Sequence, residues 1–309
     1  MNFIKIKKKL ILYFIILGFY LNADANLTQK KGNENFVFNS ISQEDKDDIE
    51  TIFIQLFKIE PFAYTVYFDK PMSFSGLILD SDPLEKELSY VRIDEYLRLI
   101  IDPYSPSKRI IKKSWETLEK YLPYFNKEKY LLINRKFNGF DTFILINKPI
   151  FKETIQKQIA IFKQVIGENF SAELLLEQIE QPNADLTKLL KNNQALLGIL
   201  LGFGSHNSKL FEKREKLYRK RELLNCIKDY KKILKIQKQI DNLWQVLQAR
   251  NDYYTPIFIT RHQIGYSCDR NHPESLQLEE KYEKQAIQVD VILNQKEWIE
   301  NIMLKLMEP

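Results

Sequence analysis

The chain has 309 residues, enough to bury a sizeable core in one large or two modest domains, and its 44% hydrophobic and 28% charged content is ordinary for a globular protein. Nine glycines and eleven prolines argue against long disordered linkers, and two cysteines exclude a disulfide framework as the basis of the fold. The net charge is +5, but three of those charges lie in the first 25 residues, so the remainder is close to neutral.

Lys5, Lys7, Lys8 and Lys9 precede an apolar run over residues 10–21, and Ala23-Asp24-Ala25 follows. A basic start, a short apolar core and a small-x-small site read as a cleavable signal peptide over residues 1–25. The run is shorter than the roughly 20 apolar residues that span a bilayer. The expectation is an exported protein, periplasmic or secreted, with no transmembrane span in the mature chain. In such a compartment Cys226 and Cys268 are free to pair or not.

Residues 26–35 are polar. Ser42 followed by Asp45 predicts a capped helix start, with Ile49, Ile52, Phe53, Leu56 and Phe57 on one apolar face and a stop before Pro61. Residues 62–68 are rich in aromatic and β-branched side chains and predict a strand. Asp69-Lys70-Pro71 breaks it, and a shorter strand is expected at 77–79. Helices are predicted over 92–101 and 107–122, the second with Ile110, Ile111, Trp115 and Leu118 inward and Pro123 as its stop. Asn138-Gly139, the preferred pair for a two-residue type I′ turn, predicts a hairpin of 130–137 with 140–146. That turn fixes the register: Phe137 opposite Phe140, Lys136 opposite Asp141, Arg135 opposite Thr142 and Ile133 opposite Ile144.

After Pro149, Ile155, Ile159, Phe162, Val165 and Ile166 form one helical face ending at Gly167, and short helices follow at 171–179 and 184–190. Residues 194–201 are apolar almost all round and predict a buried helix ending at Gly202-Phe203-Gly204. A long helix over 208–249 follows. In it Ile233, Ile236, Ile240, Leu243 and Leu247 make a coiled-coil-like seam, and Cys226 falls seven residues before Ile233, which places it in that seam. A loop over 250–273 leads to a last helix capped near Ser275. The fold class expected is α+β: a small antiparallel sheet with helices over 26–150, then an all-helical region over 151–309 that shares the same core and contains a long antiparallel helical hairpin, the 208–249 helix packed against the last one.

No cofactor motif stands out, and no cofactor is expected. Gly202-Phe203-Gly204 ahead of Ser205, His206 and Asn207 offers backbone N–H groups to an anion. The structural alternative is a helix end capped by glycine and a new start capped by Ser205, Asn207 or Ser208. Gly198 and Gly202 would let another helix approach closely. His206 and Asn207 are the catalytic candidates of this string. His262, Cys268 and His272 bring soft and imidazole donors together as candidate metal ligands, though their spacing matches no established zinc pattern. Cys268 with a nearby histidine is also the residue pair a thiol nucleophile needs.

Residues 209–238 hold twelve basic side chains against four acidic ones, a local excess of eight. Lys213, Arg214, Arg219, Lys220 and Arg221 form its densest part and are the candidate binding residues. Anionic lipid or another envelope surface suits such a stretch, and a solvated helix face is the alternative. Nucleic acid is not expected, because an exported chain does not meet it and base-stacking aromatics are sparse.

Three strings together, Pro61-Phe62-Ala63-Tyr64-Thr65 with Asp69-Lys70-Pro71-Met72-Ser73-Phe74, Phe143-Ile144-Leu145-Ile146-Asn147-Lys148, and Leu196-Leu197-Gly198-Ile199-Leu200-Leu201-Gly202-Phe203-Gly204 with Asn207, resemble a group of uncharacterised exported proteins of intracellular, host-associated bacteria. The group as a whole carries His-Asn-Ala after the glycines, whereas here Ser208 replaces the alanine behind His206 and Asn207. The resemblance implies export and no assigned activity. The function expected is that of a non-enzymatic interaction factor whose partner is an unidentified protein or an anionic envelope surface. The alternative is a periplasmic or secreted hydrolase using His206 or the 262–272 loop.

Overall fold

The structure is a computed structural model that describes residues 41–75, 108–137, 140–249, 264 and 266–308. The leader over 1–25, the polar stretch 26–35, the strand expected at 77–79, the helix expected at 92–101, the Asn138-Gly139 turn and His262 lie outside the described residues. The chain divides into two units, of which the described part of the first is residues 41–46 and the second runs from Asp47. In the first, Ser42 accepts from the Asp45 N–H at 3.1 Å, which is the predicted cap.

Helix α1 (Gln43–Phe53) widens into a π-helical turn over Ile54–Ile59 before the chain reaches Pro61. Ile49, Ile52, Phe53, Leu56 and Phe57 are buried, as their spacing predicts. The next segment departs from expectation. Phe62–Tyr67 is not a strand but a short helix, α2. Its residues Phe62, Ala63, Tyr64, Thr65 and Val66 are all buried, so burial does not alternate. A short apolar run buried on every side has no period that separates strand from helix. Its last carbonyls are also satisfied from the sheet: Asn147 Nδ2 donates to Thr65 at 3.2 Å and Tyr130 Oη to Val66 at 2.9 Å.

The strand β1 (Met72–Phe74) follows Pro71 directly. After α3 (Lys108–Glu119) come β2 (Tyr130–Phe137) and β3 (Phe140–Asn147). They pair antiparallel in the predicted register, Phe137 opposite Phe140 and Ile133 opposite Ile144. β1 adds to the other edge of β3, with Met72 opposite Ile146, giving the order β1-β3-β2. Phe143, Ile144, Leu145 and Ile146 are fully buried, so this central strand is covered on both faces. On one face Phe143 packs on Trp115 of α3 at 4.7 Å between ring centroids. Ile111 and Leu118 are buried beside it, but Ile110 is exposed, because α3 turns only a narrow face inward.

Met72, Ile133, Ile144 and Ile146 face a helical layer. Its elements are α4 (Lys148–Lys157), α5 (Ile159–Ile166), α6 (Ala172–Glu180), α7 (Leu186–Leu189) and α8 (Gln194–Leu200). Phe151, Phe162, Leu175, Leu196 and Leu200 fill the layer between them. The single helix expected after Pro149 is broken at Gln158 into α4 and α5, and Asn147 caps its start by accepting from the Ile150 N–H. α8 is buried along its whole length from Ala195 to Leu200, as expected.

The helix expected over 208–249 is two helices and a strand. α9 (Ser205–Cys226) ends at a bend where Lys228 takes φ 56°, and α10 (Tyr230–Val246) folds back against it. The helical hairpin is therefore α9 with α10, not one long helix with the C-terminal one. Leu224, Ile236 and Ile240 form its seam. The bend takes Cys226 out of heptad register, and its thiol is exposed rather than buried; Cys226 and Cys268 do not form a disulfide. The C-terminal half is not all-helical as expected: β4 (Leu247–Ala249) and β5 (Ser267–Asp269) pair as a small antiparallel ribbon between its helices. α11 (Pro273–Leu293) and α12 (Trp298–Met307) complete the α+β fold. No helix among the described residues is long and apolar enough to cross a membrane.

Candidate functional site

The α8–α9 junction is built on two glycines in the left-handed region, Gly202 at φ 80° and Gly204 at φ 82°. Tyr282 Oη of α11 donates to the Gly202 carbonyl at 2.7 Å, and a Cβ at Gly202 would lie 2.5 Å from that oxygen. Gly198 fits close against Ser208 of α9 in the same way. Helix α9 begins at Ser205, with Gly204 at its N-cap position and no side-chain cap. The cap expected from Ser205, Asn207 or Ser208 is not formed; Ser208 Oγ instead donates back to the Gly204 carbonyl at 2.5 Å.

The N–H groups that the sequence offers to an anion already have one. The Glu274 carboxylate of α11 accepts from the Ser205 N–H at 2.9 Å and the His206 N–H at 2.7 Å. A carboxylate at a helix N-terminus is favoured by both the free N–H groups and the helix dipole.

Around this contact the structure brings together four of the candidate residues, His206, Asn207 and His272 with Cys268 in the adjoining strand. His206 Nε2 lies 3.1 Å from Asp269 Oδ2. The His206 and His272 rings stack with centroids 3.6 Å apart and planes within 4°. His272 caps α11, its Nδ1 accepting from the Glu274 N–H at 3.3 Å, a role open to it only with that nitrogen unprotonated. The cap thus falls three residues before Ser275, near which it was expected, and Ser275 itself is buried in the first turn. Burial works to raise the Asp269 carboxyl, but the hydrogen bonds from His206 and the Asn271 N–H outweigh it and hold the group below its ordinary value.

Asn207 is the hub. It is 1% exposed, accepts from the Asp269 N–H at 3.0 Å and from Ser275 Oγ at 2.9 Å, and donates to the Phe203 carbonyl at 3.1 Å. Both lone pairs of the amide oxygen and one amide proton are used, so α9, β5 and α11 are held by one side chain. Cys268 sits within β5 with its thiol closed to solvent. Among the described residues no three His, Cys, Asp or Glu side chains are arranged to hold a metal ion.

The candidate binding cations divide sharply. Arg214 is buried, its guanidinium between the rings of Phe211 at 4.5 Å and Trp244 at 4.2 Å, and it fastens α9 to α10. Arg221 does the same through Gln237 Oε1 at 2.7 Å. Arg219 pairs with Glu212 at 3.4 Å. Lys213 and Lys220 are exposed and make no ion pair among the described residues. They line an open groove of about 560 Å³ together with Lys209 and Lys216, over a floor that includes Ile161, Val165 and Leu217. Glu212 is buried beneath these lysines, accepts from the Gln194 N–H at 2.7 Å and pairs with Lys216 at 3.2 Å.

Sequence reasoning missed Glu274 and the central role of Asn207. The available signal was His272-Pro273-Glu274, a cap followed by proline and an acid in a helix's first turn. Nothing in the sequence says that this acid caps the start of α9. Compared with family models, with curated proteins and with solved structures, the chain matches none of them.

Proposed function

We propose that the protein is a non-enzymatic exported factor that meets an anionic surface of the cell envelope through the α9–α10 hairpin. The lysine stripe on α9 carries this reading. Lys209, Lys213, Lys216 and Lys220 recur at steps of four, three and four, so they share one helix face, and all four are exposed. Only Lys216 has an ion-pair partner among the described residues. The basic leader with its apolar core, and the resemblance to exported proteins, support the export part of the reading. The chain recovered after leader removal is expected to bind vesicles of phosphatidylglycerol and phosphatidylcholine and to lose at least tenfold in affinity between 50 and 300 mM salt, about the range over which exposed charges become screened. Absent or salt-independent binding would overturn the reading.

One observation favours a second reading, a hydrolase centred on His206. The His206–Asp269 contact is the base–orienter geometry that general-base catalysis uses. Against it, Asn207 and Glu274 spend their polar groups on holding helices together. A broad ester, amide and glycoside panel run with the native chain and with His206→Ala separates the two: hydrolysis lost in the variant would install the enzyme reading.

A further inference from the structure

We infer that the bend of the α9–α10 hairpin inserts into the surface of an anionic bilayer; this rests on the reading above that the hairpin meets the envelope. Leu223, Ile227, Tyr230 and Leu234 are each about 70% exposed, four large apolar side chains within twelve residues. They form two pairs one helical turn apart, Leu223 with Ile227 at the end of α9 and Tyr230 with Leu234 at the start of α10. The apolar residues that close the hairpin on itself, Leu224, Ile236 and Ile240, are by contrast buried. The exposed four are therefore not needed to join the two helices, and their concentration at one end marks a surface that is covered by something else.

The charge around the bend says what covers it. Lys220, Lys228, Lys231 and Lys235 flank the four apolar side chains, are exposed, and make no ion pair among the described residues. Of the two nearby acids, Asp229 is occupied, pairing with Lys232 at 2.8 Å and capping α10 through the Lys232 N–H, and the exposed Glu222 is outnumbered by these lysines. A second copy of the chain would bring this cation cluster against itself. An anionic leaflet instead takes the apolar tips below the headgroups while the lysine stems run upward and leave their ammonium groups among the phosphates.

Cys226 lies inside this tip and is exposed, whereas Cys268 is buried, so a thiol-reactive fluorophore reports on the tip alone. The chain recovered after leader removal, labelled at Cys226 with an environment-sensitive dye, is mixed with vesicles of 30% phosphatidylglycerol in phosphatidylcholine and, separately, with pure phosphatidylcholine. A blue-shifted, brighter signal is expected on the anionic vesicles and little change on the neutral ones. The triple variant Leu223→Ser, Ile227→Ser, Leu234→Ser alters only exposed side chains, and circular dichroism checks that it keeps its helix content. It is expected to bind at least tenfold more weakly and to show no blue shift. Equal binding by the variant, with the native label remaining in water, would overturn insertion while leaving the surface-contact reading in place. Absence of binding by the native chain at any salt would remove both. A label response that appears with rising protein concentration alone, without vesicles, would assign the tip to self-association and overturn the proposal.

Discussion

Replacing Lys70 by methionine is expected to stabilise the protein by about 2–4 kcal/mol at pH 6 and to leave it nearly unchanged near pH 10. Lys70 is 1% exposed, its ammonium held against the Met72 carbonyl and over the Phe203 ring at 5.9 Å. Burial, reinforced by Lys281, pulls its pKa from the ordinary lysine value of 10.5 down to about 7. The folded state therefore binds fewer protons than the unfolded chain between pH 7 and about 10, and stability rises with pH across that window at about 1.4 kcal/mol per unit. Tyr130 acts in the opposite sense. Its burial raises its pKa to about 12, so above pH 10 the unfolded chain loses a proton that the folded one keeps, and stability falls. Burial shifts Tyr67 in the same direction. Thermal melts from pH 5 to 11 are expected to trace a rise and a fall, and Lys70→Met should erase the rise alone. A native profile that is flat between pH 7 and 10 would show that Lys70 is hydrated in the folded state.

Asn207→Ala is expected to cost about 2–4 kcal/mol, the largest loss of any single polar truncation at the α9–β5–α11 junction. The substitution strands the Asp269 N–H, the Ser275 hydroxyl and the Phe203 carbonyl together, and a buried polar group left without a partner costs about 1–3 kcal/mol. Ser275→Ala removes one donor and leaves Asn207 its other two bonds, so it should cost about 1 kcal/mol. Urea unfolding of the two variants beside the native chain measures the difference. Near-equal values would mean that the junction relaxes around the missing amide and that Asn207 is no hub.

What could be read from the sequence follows from where local signals are sufficient. The Asn138-Gly139 pair dictates a loop length, and loop length dictates register, so the β2–β3 pairing was legible residue by residue. The burial of α8 was legible because Ala195 to Leu200 leave no polar face. The helix at Phe62–Tyr67 was not, because its side chains are buried on all sides and its terminal carbonyls are capped by Asn147 and Tyr130, partners more than sixty residues away. The bend between α9 and α10 was hidden for a different reason. It uses Lys228 in a left-handed conformation where glycine or asparagine is the usual signal, so the helical pattern runs through it unbroken. Misplacing Cys226 followed directly, since a heptad count holds only along a continuous helix.

The candidate site was legible in part. His206 and Asn207 stood out beside the glycines and His272 in its loop, but their juxtaposition depends on the β4–β5 ribbon, which brings Asp269 back to the start of α9. Glu274, placed by the sequence in the first turn of one helix, caps the start of another. It lies in the first turn of α11 and neutralises the start of α9, so the anion site suggested by the glycines is filled by the chain's own carboxylate.

The reversal at Lys228 also sets how the cations crowd. As one unbroken helix, residues 208–249 would stretch roughly 60 Å at 1.5 Å per residue. Doubled back, the same positive charges occupy about half that length and repel one another across the seam as well as along it. The fold thus holds α9 and α10 together against a force that dissolved salt or a polyanion relieves, and the hairpin should close more firmly on meeting its counter-charge than in dilute buffer.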